Sequence, residues 1–87
     1  MISQLTGQIA AVEDGFVVLD VGGVGFGVFV PVDLPARVGE RVTLYTSLQV
    51  RETELTLYGF DDPEDKHLFE LLLSISGVGP KPGLSFM

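Results

Sequence analysis

A mainly β fold, a small five-stranded barrel followed by an α-helical segment, is predicted by three features of the sequence. Apolar residues alternate with polar residues or glycine through roughly the first sixty positions, the period of half-buried strands. The dipeptides Asp14-Gly15 and Gly22-Gly23 divide that stretch at hairpin spacing. From Asp61-Asp62-Pro63 onward the apolar period lengthens to that of a helix.

The strands follow in order. Leu5, Gly7, Ile9 and Ala11 share one face, opposite Gln4, Thr6 and Gln8. Val17, Leu19 and Val21 form the inner face of the second strand. Val24, Phe26, Val28 and Val30 form that of the third. Gly25 and Gly27 lie on the outer face of the third strand, where glycine marks a sharp coil or the close approach of another backbone. Pro31 to Gly39 holds two prolines and reads as a connector with room for one short helical turn. In the fourth strand Val42, Leu44, Thr46, Leu48 and Val50 face inward. Arg41, Thr43, Tyr45, Ser47, Gln49 and Arg51 face outward. A turn at Glu52-Thr53 leads into a fifth strand, Glu54 to Phe60, with Leu55 and Leu57 inward. Five short strands broken after the third suggest a closed barrel of the OB type. An open meander or an SH3-like barrel would alternate in the same way.

The helix has a defined start. Asp62 is a good N-cap, Pro63 suits the first helical position, and Glu64 and Asp65 complement the helix dipole. Leu68, Leu71, Leu72 and Ile75 make an apolar stripe that reaches about Ser76, and Gly77 ends the helix. This helix is expected to open a second unit, giving a barrel over residues 1–62 and a helical unit over 63–87. Leu72-x-x-Ile75-x-Gly77-Val78-Gly79-Pro80-Lys81 has the spacing of a helix-hairpin-helix. Val78 would plug the gap between the helices, Gly79 would admit a phosphate to the backbone, and Pro80 would begin the next helix. Free amides there, with Lys81 beside them, would form an anion site. Such a hairpin grips the DNA backbone without reading bases. The plainer alternative is a simple helix–helix turn.

Composition narrows the function classes. Hydrophobic residues make up 46% of the 87 and charged residues 20%, the balance of a folded chain. No apolar run approaches the roughly 20 residues that span a bilayer, and Met1-Ile2-Ser3-Gln4 is not the start of a secretory signal. A cytoplasmic location and no membrane partner are expected. The absence of cysteine removes disulfides, thiolate metal sites and cysteine nucleophiles. His67, the single histidine, sits beside Leu68 and reads as a surface or packing residue. Asp61, Asp62, Glu64 and Asp65 lack the spacing of a calcium loop and are explained by capping. The glycines from Gly22 to Gly27 match neither a dinucleotide nor a nucleotide-phosphate loop. No catalytic residue, metal or cofactor is expected. The net charge of −7, with only Arg37, Arg41, Arg51, Lys66 and Lys81 as cations, sits awkwardly with DNA binding.

Four segments carry a resemblance. Val21-Gly22-Gly23-Val24-Gly25-Phe26, Val50-Arg51-Glu52, Leu57-Tyr58-Gly59-Phe60 and Ser76-Gly77-Val78-Gly79-Pro80-Lys81 occur in the order and approximate spacing of the RuvA family, bacterial Holliday-junction-binding subunits. The opening Met1-Ile2 and Gly7 also fit, so the sequence resembles that family over essentially its whole length. The resemblance implies an OB-type domain that forms a homotetramer and lays an open four-way junction across one face. It also implies loading of a hexameric ATPase motor, RuvB, for branch migration in recombination and SOS-linked DNA repair, with the junction resolvase RuvC as a further partner. The chain itself would be non-catalytic. Gly77, Val78, Gly79 and Lys81 would hold DNA. Arg51, Glu52 and Glu54 would form an acidic pin whose carboxylates repel phosphates at the junction centre. Thr53 stands where the family has a second acidic residue. Family members continue through a second hairpin and a C-terminal domain that contacts the motor, so the chain reads as a truncated member, with Pro82 and Gly83 departing from the family pattern.

Two other classes remain open at this level. A stand-alone OB module for single-stranded nucleic acid needs outward aromatics and a basic groove; Phe29, Tyr45 and Tyr58 are candidates, but cations are few. A barrel used only for protein assembly would form oligomers without DNA affinity.

Overall fold

The computed structural model describes residues 1–75 and 78–87. Five strands, β1 (Gln4–Glu13), β2 (Phe16–Val21), β3 (Val24–Phe29), β4 (Arg41–Val50) and β5 (Leu55–Phe60), are followed by α1 (Pro63–Ser74) and α2 (Pro80–Ser85). The strands close in the order β1-β2-β3-β5-β4, the barrel that the alternation predicts. The first half of β1 pairs with β4 and the second half with β2, and a bulge between Ile9 and Ala11 bends it from one partner to the other. At Gly7, beside this bend, a Cβ would overlap the Asp20 carbonyl oxygen, so only glycine lets the two backbones close. A short parallel seam, Val28 with Leu57 and Phe29 with Tyr58, closes the barrel. The Gly22-Gly23 turn has φ of 59° and 94°, as a tight hairpin requires.

Inside the barrel Ile9, Val17, Leu19, Val28, Val30, Leu44 and Leu57 form one apolar cluster. The predicted inner faces therefore hold along most of the sheet. The exceptions have local causes. Gly25 and Gly27 meet no foreign backbone; the Phe16 ring lies over Gly27, where a Cβ would come within 2.7 Å of it. The connector makes two i→i+3 turns, Leu34 N–H to Pro31 O (3.0 Å) and Glu40 N–H to Arg37 O (3.1 Å), and no helix. Leu34 and Ala36 nonetheless cap the core. Val50 and Leu55, expected inside, are 61% and 70% exposed. They pair with each other beyond the last row in which β3 accompanies β5, so they belong to a two-stranded arm rather than the barrel wall.

The helix differs most from expectation. Asp62 caps α1 by accepting from the Glu64 amide at 2.8 Å, and Pro63 opens it, as predicted. Of the predicted stripe Leu68, Leu71, Leu72 and Ile75, only Leu72 is partly buried; the other three are about half exposed. The buried face carries Phe69, fully enclosed, with Leu73 one turn on. Phe69 lies on Phe60 and Tyr58 of the outer barrel wall, at ring-centroid distances of 5.1 and 5.2 Å. Leu84 and Met87 close this second cluster. Next to Phe69 on α1, Glu70 accepts from the Ser47 hydroxyl at 3.0 Å, which buries Ser47 on a face predicted to be solvated. The barrel closes without α1, and α1 is bonded to its outside.

Candidate nucleic-acid interface

The β4–β5 ladder ends at the Val50–Leu55 pair, and Arg51 N–H donates to Glu54 O at 2.8 Å. This bond makes residues 51–54 a tight reverse turn at the tip of the arm. Arg51, Glu52, Thr53 and Glu54 are all exposed, so the carboxylates project from the barrel instead of folding beneath it. Two-stranded support fixes the turn's direction, while the charged side chains stay hydrated at little cost.

The second predicted element follows α1. Ile75 ends that helix in extended backbone, with its N–H on Leu72 O. Ser76 and Gly77 lie outside the described residues, and with them the predicted left-handed cap at Gly77. Val78 is half-buried, and its N–H donates to Ile75 O at 3.2 Å. Gly79 is the N-cap of α2, with φ −88° and ψ 170°. That backbone suits any residue, and a Cβ there would meet Pro82 at an ordinary 3.7 Å. Among the described residues, nothing in the chain's own folding requires glycine at this position. Pro80 and Pro82 bring no N–H to the first turn of α2. Once the bonded Val78 amide is set aside, Gly79 and Lys81 are the amides this short stretch can offer.

The two elements meet. Arg51 and Glu54 from the turn, and Pro80, Lys81 and Pro82 from α2, line one cleft of about 220 Å³. Gln49, Thr56 and Tyr58 form its floor. The register explains the floor: Gln49 pairs with Thr56 and Ser47 with Tyr58, which places all of them on the outer face of β4 and β5. Tyr58 is 4% exposed, with its ring between Phe29 and Phe69. Burial holds its hydroxyl above the usual tyrosine range; Glu54 pushes the same way and Arg51 opposes it. The phenol stays protonated at neutral pH and can donate.

Sequence reasoning placed Tyr58 among outward aromatics free to stack on bases; it points outward, but α1 covers its ring. Its membership of the cleft was missed, as was that of Gln49 and Thr56. The signal existed in the alternation, which puts Gln49, Arg51 and Tyr58 on one side; what was lacking was the position of α2. His67 is exposed on α1, away from the cleft. Among the described residues no cluster of His, Asp and Glu is arranged to hold a metal, and no helix is long and apolar enough to cross a membrane.

Comparison with known proteins agrees with the barrel. Residues 1–59 match the family described as RuvA N terminal domain. Proteins named Holliday junction branch migration complex subunit RuvA align over the whole chain. That of Lactobacillus acidophilus is 42% identical over 87 residues, with 45% of its length covered. The Symbiobacterium thermophilum protein is 48% identical over 91 residues, with 44% covered. That of Tropheryma whipplei is 46% identical over 87 residues, with 45% covered. The chain thus spans somewhat under half the length of these relatives. With a closed barrel in place and the family match covering most of it, the chain belongs to the RuvA family.

Proposed function

We propose that this chain is a non-catalytic DNA-binding part of a branch migration complex, which seats a four-way junction through the face containing the 51–54 turn and the Val78–Lys81 segment. The observation that carries this reading is their convergence: the carboxylate-bearing turn and the cation-bearing start of α2 line one cleft, although Glu54 and Lys81 are 27 positions apart in sequence. A barrel over 1–62 then presents the pin of Arg51, Glu52 and Glu54, and a helical unit over 63–87 supplies the grip of Gly77, Val78, Gly79 and Lys81. Gly79 fits a grip because neither its backbone nor its neighbours account for it. Lys81 and Arg51 attract phosphates where the chain is otherwise strongly acidic, while Glu52 at the tip repels them from the centre. The exposed apolar pair Val50 and Leu55 at the base of the pin gives copies of the chain a surface on which to assemble, as a homotetramer around that centre. The proposal extends to the RuvB motor and RuvC resolvase as partners in recombination and repair, in the cytoplasm and without a cofactor of its own.

The test is fluorescence anisotropy with a labelled four-way junction, a duplex and a single strand of matched length, at low salt. Tighter binding to the four-way junction than to either linear form is expected. A preference for the single strand would favour a stand-alone OB module, and oligomers with no DNA affinity would favour an assembly domain. The near-complete enclosure of Tyr58 argues against the first of these, since it removes one of three candidate stacking aromatics.

A further inference from the structure

The cleft has a feature that neither the pin nor the hairpin uses. Tyr58 is buried except toward the cleft, and among the described residues its hydroxyl has no hydrogen-bond partner. No fully enclosed side-chain polar atom in this set lacks one, so the hydroxyl must open onto space rather than onto protein. The space it opens onto holds two of the chain's five Lys and Arg residues, Arg51 and Lys81, against one carboxylate, Glu54. A hydroxyl with no partner among the described residues, in a cleft that two cations also line in a chain of net charge −7, is a recess suited to an anionic oxygen.

We infer that this cleft seats one backbone phosphate of bound DNA, with the Tyr58 hydroxyl donating to its non-bridging oxygen and Arg51 and Lys81 flanking it. The inference rests on the DNA-binding reading above and assigns it a specific contact. The seat ties the pin to the grip: one phosphate held between Arg51 and Lys81 fixes how far the DNA backbone stands from Glu52. The ring of Tyr58 is locked by Phe29 and Phe69, so the hydroxyl is positioned before DNA arrives and little side-chain entropy is lost on binding. Glu54, on the rim, opposes the anion and keeps the seat from being a strong non-specific phosphate trap.

The experiment is anisotropy of the 87-residue chain on labelled four-way junction and duplex, comparing wild type, Tyr58→Phe, Arg51→Ala/Lys81→Ala and the triple variant. Phenylalanine keeps the ring in place, so the melting temperature of Tyr58→Phe should equal that of wild type. Its affinity for the junction should fall about ten- to hundredfold, the loss of one hydrogen bond to a charged acceptor. Once both cations are gone, removing the hydroxyl should cost less than twofold, because the phosphate is no longer held there. Unchanged affinity in Tyr58→Phe would overturn the inference. So would an equal loss in the Arg51/Lys81 background, or a loss that tracks a lower melting temperature. If wild type binds duplex and junction alike, the junction reading falls; weakening of both by Tyr58→Phe would still uphold the phosphate seat. Wild type that binds neither DNA sinks both.

Discussion

Tyr58 shows how one residue serves packing and chemistry at once. Its ring joins the aromatic row from Phe16 through Phe29 to Phe69, while its oxygen belongs to the cleft. Enclosure of the ring raises the hydroxyl's proton affinity above its ordinary value of 10.0, with Glu54 reinforcing and Arg51 offsetting the effect. The sign for stability follows from linkage. The folded state holds this proton more tightly than the unfolded chain, so the contribution is complete below pH 10.0 and is lost as pH rises through the folded value. Wild type should therefore lose thermal stability above that pH more steeply than Tyr58→Phe, as measured by melting curves in a series of alkaline buffers. Parallel curves would show that ionisation of Tyr58 is not coupled to folding. From sequence alone the alternation gave Tyr58 its outward direction, and nothing local could show that a helix would cover it.

Among the elements, α1 is the clearest case of tertiary structure choosing between faces. Its sequence offers two apolar sides, Leu68-Leu71-Leu72-Ile75 and Phe69-Leu73, and either satisfies a helical period. The barrel wall selects the second, because Phe60 and Tyr58 present flat aromatic surfaces to which a phenyl ring is matched. Phe69→Ala should then destabilise the chain by about 3–5 kcal/mol in urea unfolding. Leu71→Gln, on the stripe the periodicity favours, should change stability by no more than about 0.5 kcal/mol. Equal costs would mean the two faces are shared. The 51–54 turn gives the second element-scale prediction. Glu52→Gln with Glu54→Gln removes two exposed carboxylates from a turn whose backbone bond, Arg51 N–H to Glu54 O, is untouched. DNA binding should tighten in anisotropy while strand separation by the full complex declines. Weaker binding would count against a repulsive role. Position and exposure of this turn were legible in the sequence. That Glu54 stands at the base facing a cleft, with Glu52 at the tip, was not, because it depends on where α2 lies.

For the whole molecule, charge and exposed apolar surface point the same way. A chain with twelve acidic and five basic residues has little general attraction for DNA, so the proposed grip calls for cations that are concentrated and repeated. Concentration is visible in the cleft; repetition requires copies. In the proposed tetramer, Val50 and Leu55 on the arm are the apolar surface that would bring the 51–54 turns together. Val50→Asp with Leu55→Asp should convert the proposed tetramer to monomers by light scattering, with the strand circular dichroism signal retained, since neither residue fills the barrel core. A mass unchanged by both substitutions would move the assembly surface elsewhere.

The sequence by itself determined the strands, the hairpin turns, the start of α1 and most of the inner face of the barrel. Each of these is written in neighbouring residues: a period of two, a glycine that tolerates positive φ, an aspartate ahead of a proline. Only the tertiary structure decided what covers the outer wall, which side of α1 is buried, and that Lys81 shares a cleft with Arg51 and Tyr58. Those outcomes depend on matching surfaces far apart in the chain, and periodicity tells which way a side chain points but not what it meets there.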